Sequence, residues 1–303
     1  MKTQLRGELR ENEPMARHVS WRAGGAVARA YFPADLDDLA NFLASTRHDE
    51  PMLMVGLGSN LLVRDGGFDG TAIFLHGALR ACRQESDGRF YVEAGVASPK
   101  LARFAANQGC AEAEFLAGIP GTVGGALAMN AGCHGGETWN YVEAVQMLDR
   151  AGRSVRRTRE DFVIGYRHAG LKAAVDEMFA AAWFRFPAGD AEGARERINQ
   201  LLKERIASQP LELPNAGSVF RNPPGDHAAR LIEAAGLKGT RIGGAQVSEK
   251  HANFIVNPEG AATAHEIEML IGRIRAAVRE KFDVGLVCEV RIVGDVAQEM
   301  RAI

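Results

Sequence analysis

Val55-Gly56-Leu57-Gly58-Ser59-Asn60-Leu61-Leu62-Val63 is the stretch on which the fold class turns. The apolar run Met52–Val55 reads as a strand, and a Gly-X-Gly directly after a strand invites a dinucleotide-binding βαβ unit. The third glycine of that fingerprint is missing, because position 61 is leucine. The following residues, Leu61 to Gly70, carry no helical periodicity either. A Rossmann nucleotide fold is therefore excluded. What remains is a tight turn between strands. It is either purely structural or a place where backbone amides cradle a pyrophosphate.

Outward from this turn, Leu36–Thr46 is expected to be an amphipathic helix, with Asp35, Asp37 and Asp38 complementing its N-terminal dipole. Thr71–Leu75, Phe90–Val92, Glu143–Leu148 and Met178–Phe186 read as strands. Ser98 is the expected N-cap of a helix with Pro99 at its first position and Gly109 at its end. Pro187-Ala188-Gly189-Asp190 reads as a linker. Beyond it, Ala191–Ser208 is expected to be a charged helix. Asp226 is the candidate N-cap of a helix running to Ala235 and closed by Gly236. Thr263 and Glu266 form a capping box for a long helix to Phe282, and Leu286–Val293 is a terminal strand. There is no internal repeat and no regular βαβ alternation. The reading is α+β, with domains at 1–187 and 188–303.

The 303 residues are 46% hydrophobic and 24% charged with a net charge of −2, as in a globular protein without a strong electrostatic drive toward nucleic acid. No apolar run approaches the roughly 20 residues of a membrane span. Residues 1–18 lack the apolar core of a secretory signal, so a cytoplasmic location is expected. Cys82, Cys110, Cys133 and Cys288 are scattered, with no zinc-like spacing and no disulfide framework, so no metal is expected.

Four constellations can carry chemistry. The first is the Gly56–Asn60 turn. The second, Gly118-Ile119-Pro120-Gly121-Thr122-Val123-Gly124-Gly125-Ala126 with Asn130, is dense enough in glycine for backbone to approach a nucleotide-like ligand closely, or else forms a bend packed under a helix. No lysine follows, so it is not a phosphate-binding P-loop. The third, Pro214-Asn215-Ala216-Gly217-Ser218-Val219-Phe220-Arg221-Asn222-Pro223, places a serine on a constrained turn without a GxSxG elbow. That hydroxyl either serves local turn hydrogen bonds or donates a proton. The fourth pairs Tyr166-Arg167 with Glu289 in an apolar strand, as a structural ion pair or as working groups.

Together, in one chain and one order, these motifs and the stretch Gly243-Gly244-Ala245-Gln246-Val247-Ser248-Glu249-Lys250-His251-Ala252-Asn253-Phe254-Ile255-Val256-Asn257 resemble the UDP-N-acetylenolpyruvoylglucosamine reductase family of peptidoglycan synthesis. The resemblance runs from about Ser20 to Ile292. It implies a two-part FAD-binding unit of the vanillyl-alcohol-oxidase type, with parts at about 1–75 and 76–187, then a C-terminal α/β substrate-binding domain. It further implies non-covalent FAD held by Arg22, Gly24, Gly58, Ser59, Asn60 and Leu61. Gly118, Ile119, Pro120, Gly121, Thr122, Gly124, Gly125, Ala126 and Asn130 complete that set.

The implied reaction is two hydride transfers, from NADPH to flavin and from flavin to the methylene carbon of enolpyruvyl-UDP-N-acetylglucosamine. Arg167, Glu289 and Ser218 are the implied catalytic residues, with Ser218 protonating the α-carbon. Tyr166, Arg205, Asn222 and Gln246 are the implied substrate contacts. Three positions depart from the family pattern, namely Ala169, His134 and Arg221. No tyrosine follows Tyr166, so the chain resembles the short type without a tyrosine-bearing lid, and Arg205 is the candidate pyrophosphate clamp. A monomer acting on small molecules is the expected state. The rivals are a flavoprotein oxidase, which needs no proton donor such as Ser218, and a non-catalytic nucleotide-sugar binder, which would show no flavin colour.

Overall fold

The computed structural model describes residues 5–297. They form two compact units. One comprises residues 5–10, 30–57 and 71–205, and the other residues 11–29, 58–70 and 206–297.

In the first unit, Asp35 caps the helix Leu36–Ser45 by accepting a hydrogen bond from the Asp38 amide. That helix buries Leu39, Phe42 and Leu43 beside Tyr31, Ile73 and Leu75. The strand Met52–Val55 runs parallel to Thr71–Phe74. A five-stranded antiparallel sheet takes the order Ser154–Thr158, Val142–Asp149, Glu177–Phe184, Phe90–Glu93, Cys82–Gln84. Its Phe90, Val92, Val145, Met147, Ala182 and Phe184 form a core with Leu101, Ala105, Val123 and Leu127. The helix Ala191–Ser208, placed beyond the linker by the sequence, packs Ala194 and Ile198 into this same core, and the unit runs on to Arg205.

The second unit gathers three distant stretches of chain around one core. Trp21, Ala23 and Leu62 pack with Phe220, Leu231, Ile267, Leu270 and Val278. The Trp21 indole donates to the Ile255 carbonyl at 2.7 Å. Leu61–Val63 pairs in parallel with Arg291–Val293. Asp65 accepts from the amides of Ala264 and His265, supplying negative charge to the N-terminus of the helix Ala264–Phe282. Thr263 and Glu266 complete the capping box expected there.

Three local expectations are corrected. The helix begun by Ser98 is capped at Ala97, without a side-chain bond, and Ser98 is its first residue. The helix expected from Asp226 spans Ala228–Ala234 with His227 at the cap. Asp226 instead pairs with Arg230 and accepts from the His227 amide, which holds its carboxyl at about 2. The terminal strand is regular only over Arg291–Val293. Among the described residues, no helix is long and apolar enough to cross a membrane.

Candidate active site

In the second unit, Gly58 adopts φ +61°, and a Cβ there would collide with the His18 carbonyl and come within 2.7 Å of the Val19 Cα. Only glycine fits that backbone without strain. The Gly58 carbonyl accepts from the Ser20 amide at 3.1 Å. Asn60 closes the other side, its Nδ2 donating to the Glu289 carbonyl at 3.2 Å and its carbonyl accepting from the Arg291 amide. The turn is thus pinned at both ends and presents a half-buried Ser59 between them, with Leu61 buried behind it. Arg22, exposed at φ +55°, lies between the buried Trp21 and Ala23. Gly24 lets the chain pass the Val63 carbonyl, which a Cβ would meet at 2.6 Å.

The serine turn is stitched to the terminal segment. The Val219 carbonyl accepts from the Glu289 amide at 2.8 Å, and the Arg221 amide donates to the Val287 carbonyl. Phe220 bridges antiparallel to Cys288. Val219 therefore stands across from Glu289, with Ser218 one residue along the turn, and Ser218 and Glu289 are each half-buried. Asn253 holds this turn from behind. Its Oδ1 accepts from the Phe220 amide at 3.0 Å, and its Nδ2 donates to the Phe220 carbonyl at 2.8 Å. Asn257 does the same for the early segment, donating to the Trp21 carbonyl and accepting from the Ala262 amide. The sequence shows Asn253 only as a polar residue inside the apolar run Ala252–Val256, and Asn257 only as the residue that ends it.

Asn222 is exposed, and its Oδ1 accepts from the Ala228 amide at 3.1 Å, so part of its capacity serves the helix start. Gln246 lies opposite Arg241, whose guanidinium donates to its Oε1 at 3.0 Å. The half-buried His251 ring, edge-on against Phe254, has its pKa pushed down by desolvation.

In the first unit, the glycine-rich stretch forms a short helix, Val123–Ala128, with Thr122 as N-cap. Its glycines divide by role. A Cβ on Gly124 would crowd Ala94 at 2.9 Å, and one on Gly118 would strike the Cys133 thiol, so both serve packing. Gly125 is exposed, and a Cβ there would meet nothing closer than the Thr122 hydroxyl at 3.9 Å. The helix's opening turn therefore offers bare backbone, flanked by Pro120 and Gly121, with Ile119 and Ala126 buried beneath. Such a surface fits the phosphates and the flat ring of FAD.

Asn130 is 1% exposed at φ +40°, and its side chain faces the protein. Tyr166 and Arg167 form the two-residue tip of the hairpin Phe162–Leu171. Arg167 takes φ +54°, with its guanidinium 5.1 Å from the Tyr166 ring centre. The Cys133 thiol is raised by burial, opposed by the positive charges of Arg205 and Arg167. Arg205 is in turn lowered by burial, opposed by Cys133, so both arginines lie within electrostatic reach of that thiol.

Bare backbone at the opening of one helix, a pinned glycine turn, and no dinucleotide-binding βαβ unit among the described residues are the features of an FAD-binding oxidoreductase of non-Rossmann type. Residues 27–158 match the family described as FAD binding domain, and residues 209–293 match UDP-N-acetylenolpyruvoylglucosamine reductase, C-terminal domain. The UDP-N-acetylenolpyruvoylglucosamine reductase of Thiobacillus denitrificans is 59% identical over 304 residues, covering 96% of this chain and 94% of the relative. That of Nitrosomonas eutropha is 55% identical, covering 96% and 90%. The crystal structure of UDP-N-acetylenolpyruvylglucosamine reductase from Thermus caldophilus is similar at a TM-score of 0.80 and 31% identity, covering 95% of this chain and 99% of that one. The chain belongs to the UDP-N-acetylenolpyruvoylglucosamine reductase family, and it is an enzyme.

Proposed function

We propose that the enzyme uses NADPH and bound FAD to reduce enolpyruvyl-UDP-N-acetylglucosamine to UDP-N-acetylmuramate, in the cytoplasm, as a step of peptidoglycan precursor synthesis. The observation that supports this reading is the backbone ladder joining the Ser218 turn to the segment of Glu289, which brings the two stretches that carry the proposed proton donor and carboxylate together. FAD bound there would supply the two-electron hydride chemistry that links NADPH to the substrate's methylene carbon.

Hydride addition there leaves negative charge at the carboxylate end, which preorganised positive charge must stabilise. Arg167, presented at a hairpin tip, supplies that charge. Glu289 binds the same carboxylate through a shared proton. The Ser218 Oγ gives its proton to the α-carbon, a transfer made feasible by the basicity of a carbanion-like centre. Tyr166, Arg205, Asn222 and Gln246 bind the UDP-sugar. Gly58, Ser59, Asn60 and the Gly121–Gly125 backbone hold FAD.

The test is to reduce the purified holoenzyme anaerobically with NADPH, mix it with enolpyruvyl-UDP-N-acetylglucosamine and follow flavin absorbance. Rapid reoxidation is expected. Flavin that stays reduced would leave the fold intact and remove the substrate.

A further inference from the structure

The tip of the hairpin Phe162–Leu171 is an unusual place for an arginine. With Tyr166 and Arg167 as its two central residues, the turn needs positive φ at its second position, where glycine or asparagine is usual. Arg167 occupies that position at φ +54°. A residue held in a sparsely populated conformation persists only when its surroundings over-determine it. The ladder from Phe162–Leu171 to Gly165–His168 fixes the stem. One side chain from outside the hairpin holds the residue immediately before the tip.

That side chain is Asn130. Its Nδ2 donates to the Gly165 carbonyl at 3.1 Å, immediately before the tip, and to the Glu137 carboxylate at 2.9 Å. Its Oδ1 accepts from the Trp139 amide at 3.1 Å. The Trp139 indole, 1% exposed, is anchored in turn on the Leu127 carbonyl at 2.8 Å. Asn130 itself stands in left-handed backbone, a conformation asparagine tolerates better than most residues. The end of the glycine-rich segment is thereby tied to the base of the arginine-bearing turn.

We propose that Asn130 is a positioning residue for Arg167, acting through the Gly165 carbonyl, in the reaction proposed above and resting on that reading. Both hydrogens of its amide are used, one for the hairpin and one for Glu137. The cofactor-side backbone and the substrate-side arginine therefore share one fixed point.

Asn130→Asp tests this directly. Aspartate preserves shape, tolerance of left-handed backbone and the acceptor for Trp139. It turns an oxygen toward both Gly165 and Glu137, leaving three oxygens without a proton between them. Lowering the pH protonates the new aspartate, whose hydroxyl donates to the Gly165 carbonyl and so restores that one bond. Two readouts are taken on purified holoenzyme.

The first, independent of substrate, is hydrogen exchange of the amides of 162–171. Asn130→Asp is expected to exchange at least fivefold faster than wild type at pH 8, with the ratio returning toward one near pH 6. An unchanged ratio at both pH values would overturn the latch. The second compares half-reactions. Flavin reoxidation by enolpyruvyl-UDP-N-acetylglucosamine is expected to slow at least tenfold at pH 8, more than reduction by NADPH slows, and to recover near pH 6. Equal, pH-independent losses, or loss of FAD from the protein, would assign Asn130 to general structure or to the cofactor instead.

Asn130→Asp/Glu137→Gln supplies a donor on the Glu137 side only. It should stay slow, and recovery would show that the Gly165 contact is not the one that matters. If wild type itself is not reoxidised by this substrate, the proposed reaction fails, while the exchange ratio still decides whether Asn130 holds the hairpin.

Discussion

Replacing Asn253 with alanine removes the support of the serine turn without touching the serine. Asn253 is 4% exposed and Phe220 1%, so neither the amide nor the carbonyl of Phe220 has easy access to water. A buried polar group left without its partner costs about 1–3 kcal/mol. Two such groups are exposed to that cost, partly relieved by relaxation, so the loss is about 2–4 kcal/mol. At roughly 2–4 °C per kcal/mol for domains of 150–250 residues, the midpoint should fall by roughly 5–15 °C.

Asn222→Ala is the matched control, since it deletes one bond from an exposed asparagine to the Ala228 amide. Its effect should be under about 1 kcal/mol. Thermal unfolding of the purified holoenzymes, followed by circular dichroism, gives both shifts in one experiment. An Asn253→Ala shift no larger than the Asn222→Ala shift would refute the reasoning, because it would mean that water or rearrangement satisfies Phe220 at no cost.

Ser218→Ala should spare flavin reduction by NADPH and stop formation of UDP-N-acetylmuramate, and near-normal turnover would remove the serine from the mechanism. Gly58→Ala should destabilise by at least 1–2 kcal/mol from left-handed backbone alone, with the His18 collision added, and should lower flavin content measured by absorbance ratio. Asp38→Asn probes pH dependence. Burial alone would raise the Asp38 carboxyl, but hydrogen bonds from the Arg6 amide, Tyr31 hydroxyl and Ala34 amide outweigh it and hold it below the ordinary range. A depressed folded value stabilises above the unfolded value of about 3.9, and this is lost as the pH falls through the folded value. The gap between wild type and Asp38→Asn in urea unfolding should therefore be about 2–3 kcal/mol at pH 7 and shrink below about pH 4. A gap independent of pH would contradict the assignment.

The helices declare themselves in the sequence through their ends. Asp35, the Thr263–Glu266 box and the charged run Ala191–Ser208 each carry a local signal that tertiary structure leaves intact. Asp226 shows the limit of such signals, because a carboxylate that finds Arg230 four residues on sits outside the helix it was expected to cap. The hairpin under Arg167 is illegible because Tyr-Arg is not a usual two-residue turn, and its geometry depends on Asn130 from 35 residues away. The glycine motifs mark where backbone comes close. They do not reveal that Gly124 serves packing while Gly125 faces outward, a distinction made by Ala94. Membership of residues 11–29 and 58–70 in the second unit is likewise invisible, since it rests on Trp21 and Leu62 meeting residues near the other end of the chain.

That last arrangement bears on how the protein comes off the ribosome. The Trp21 indole waits for a carbonyl 234 residues downstream, and the Asn60 amide for one 229 residues downstream. Loops of this length close slowly, and nothing local rewards them beforehand. The first unit can gather its five-stranded sheet while translation continues. The glycine turn at Gly58 gains its second anchor only when Glu289 and Arg291 have been made. A nascent chain arrested short of those residues is expected to carry a folded sheet but no competent flavin-side turn. Cofactor loading thereby becomes a report that synthesis has reached the terminal strand.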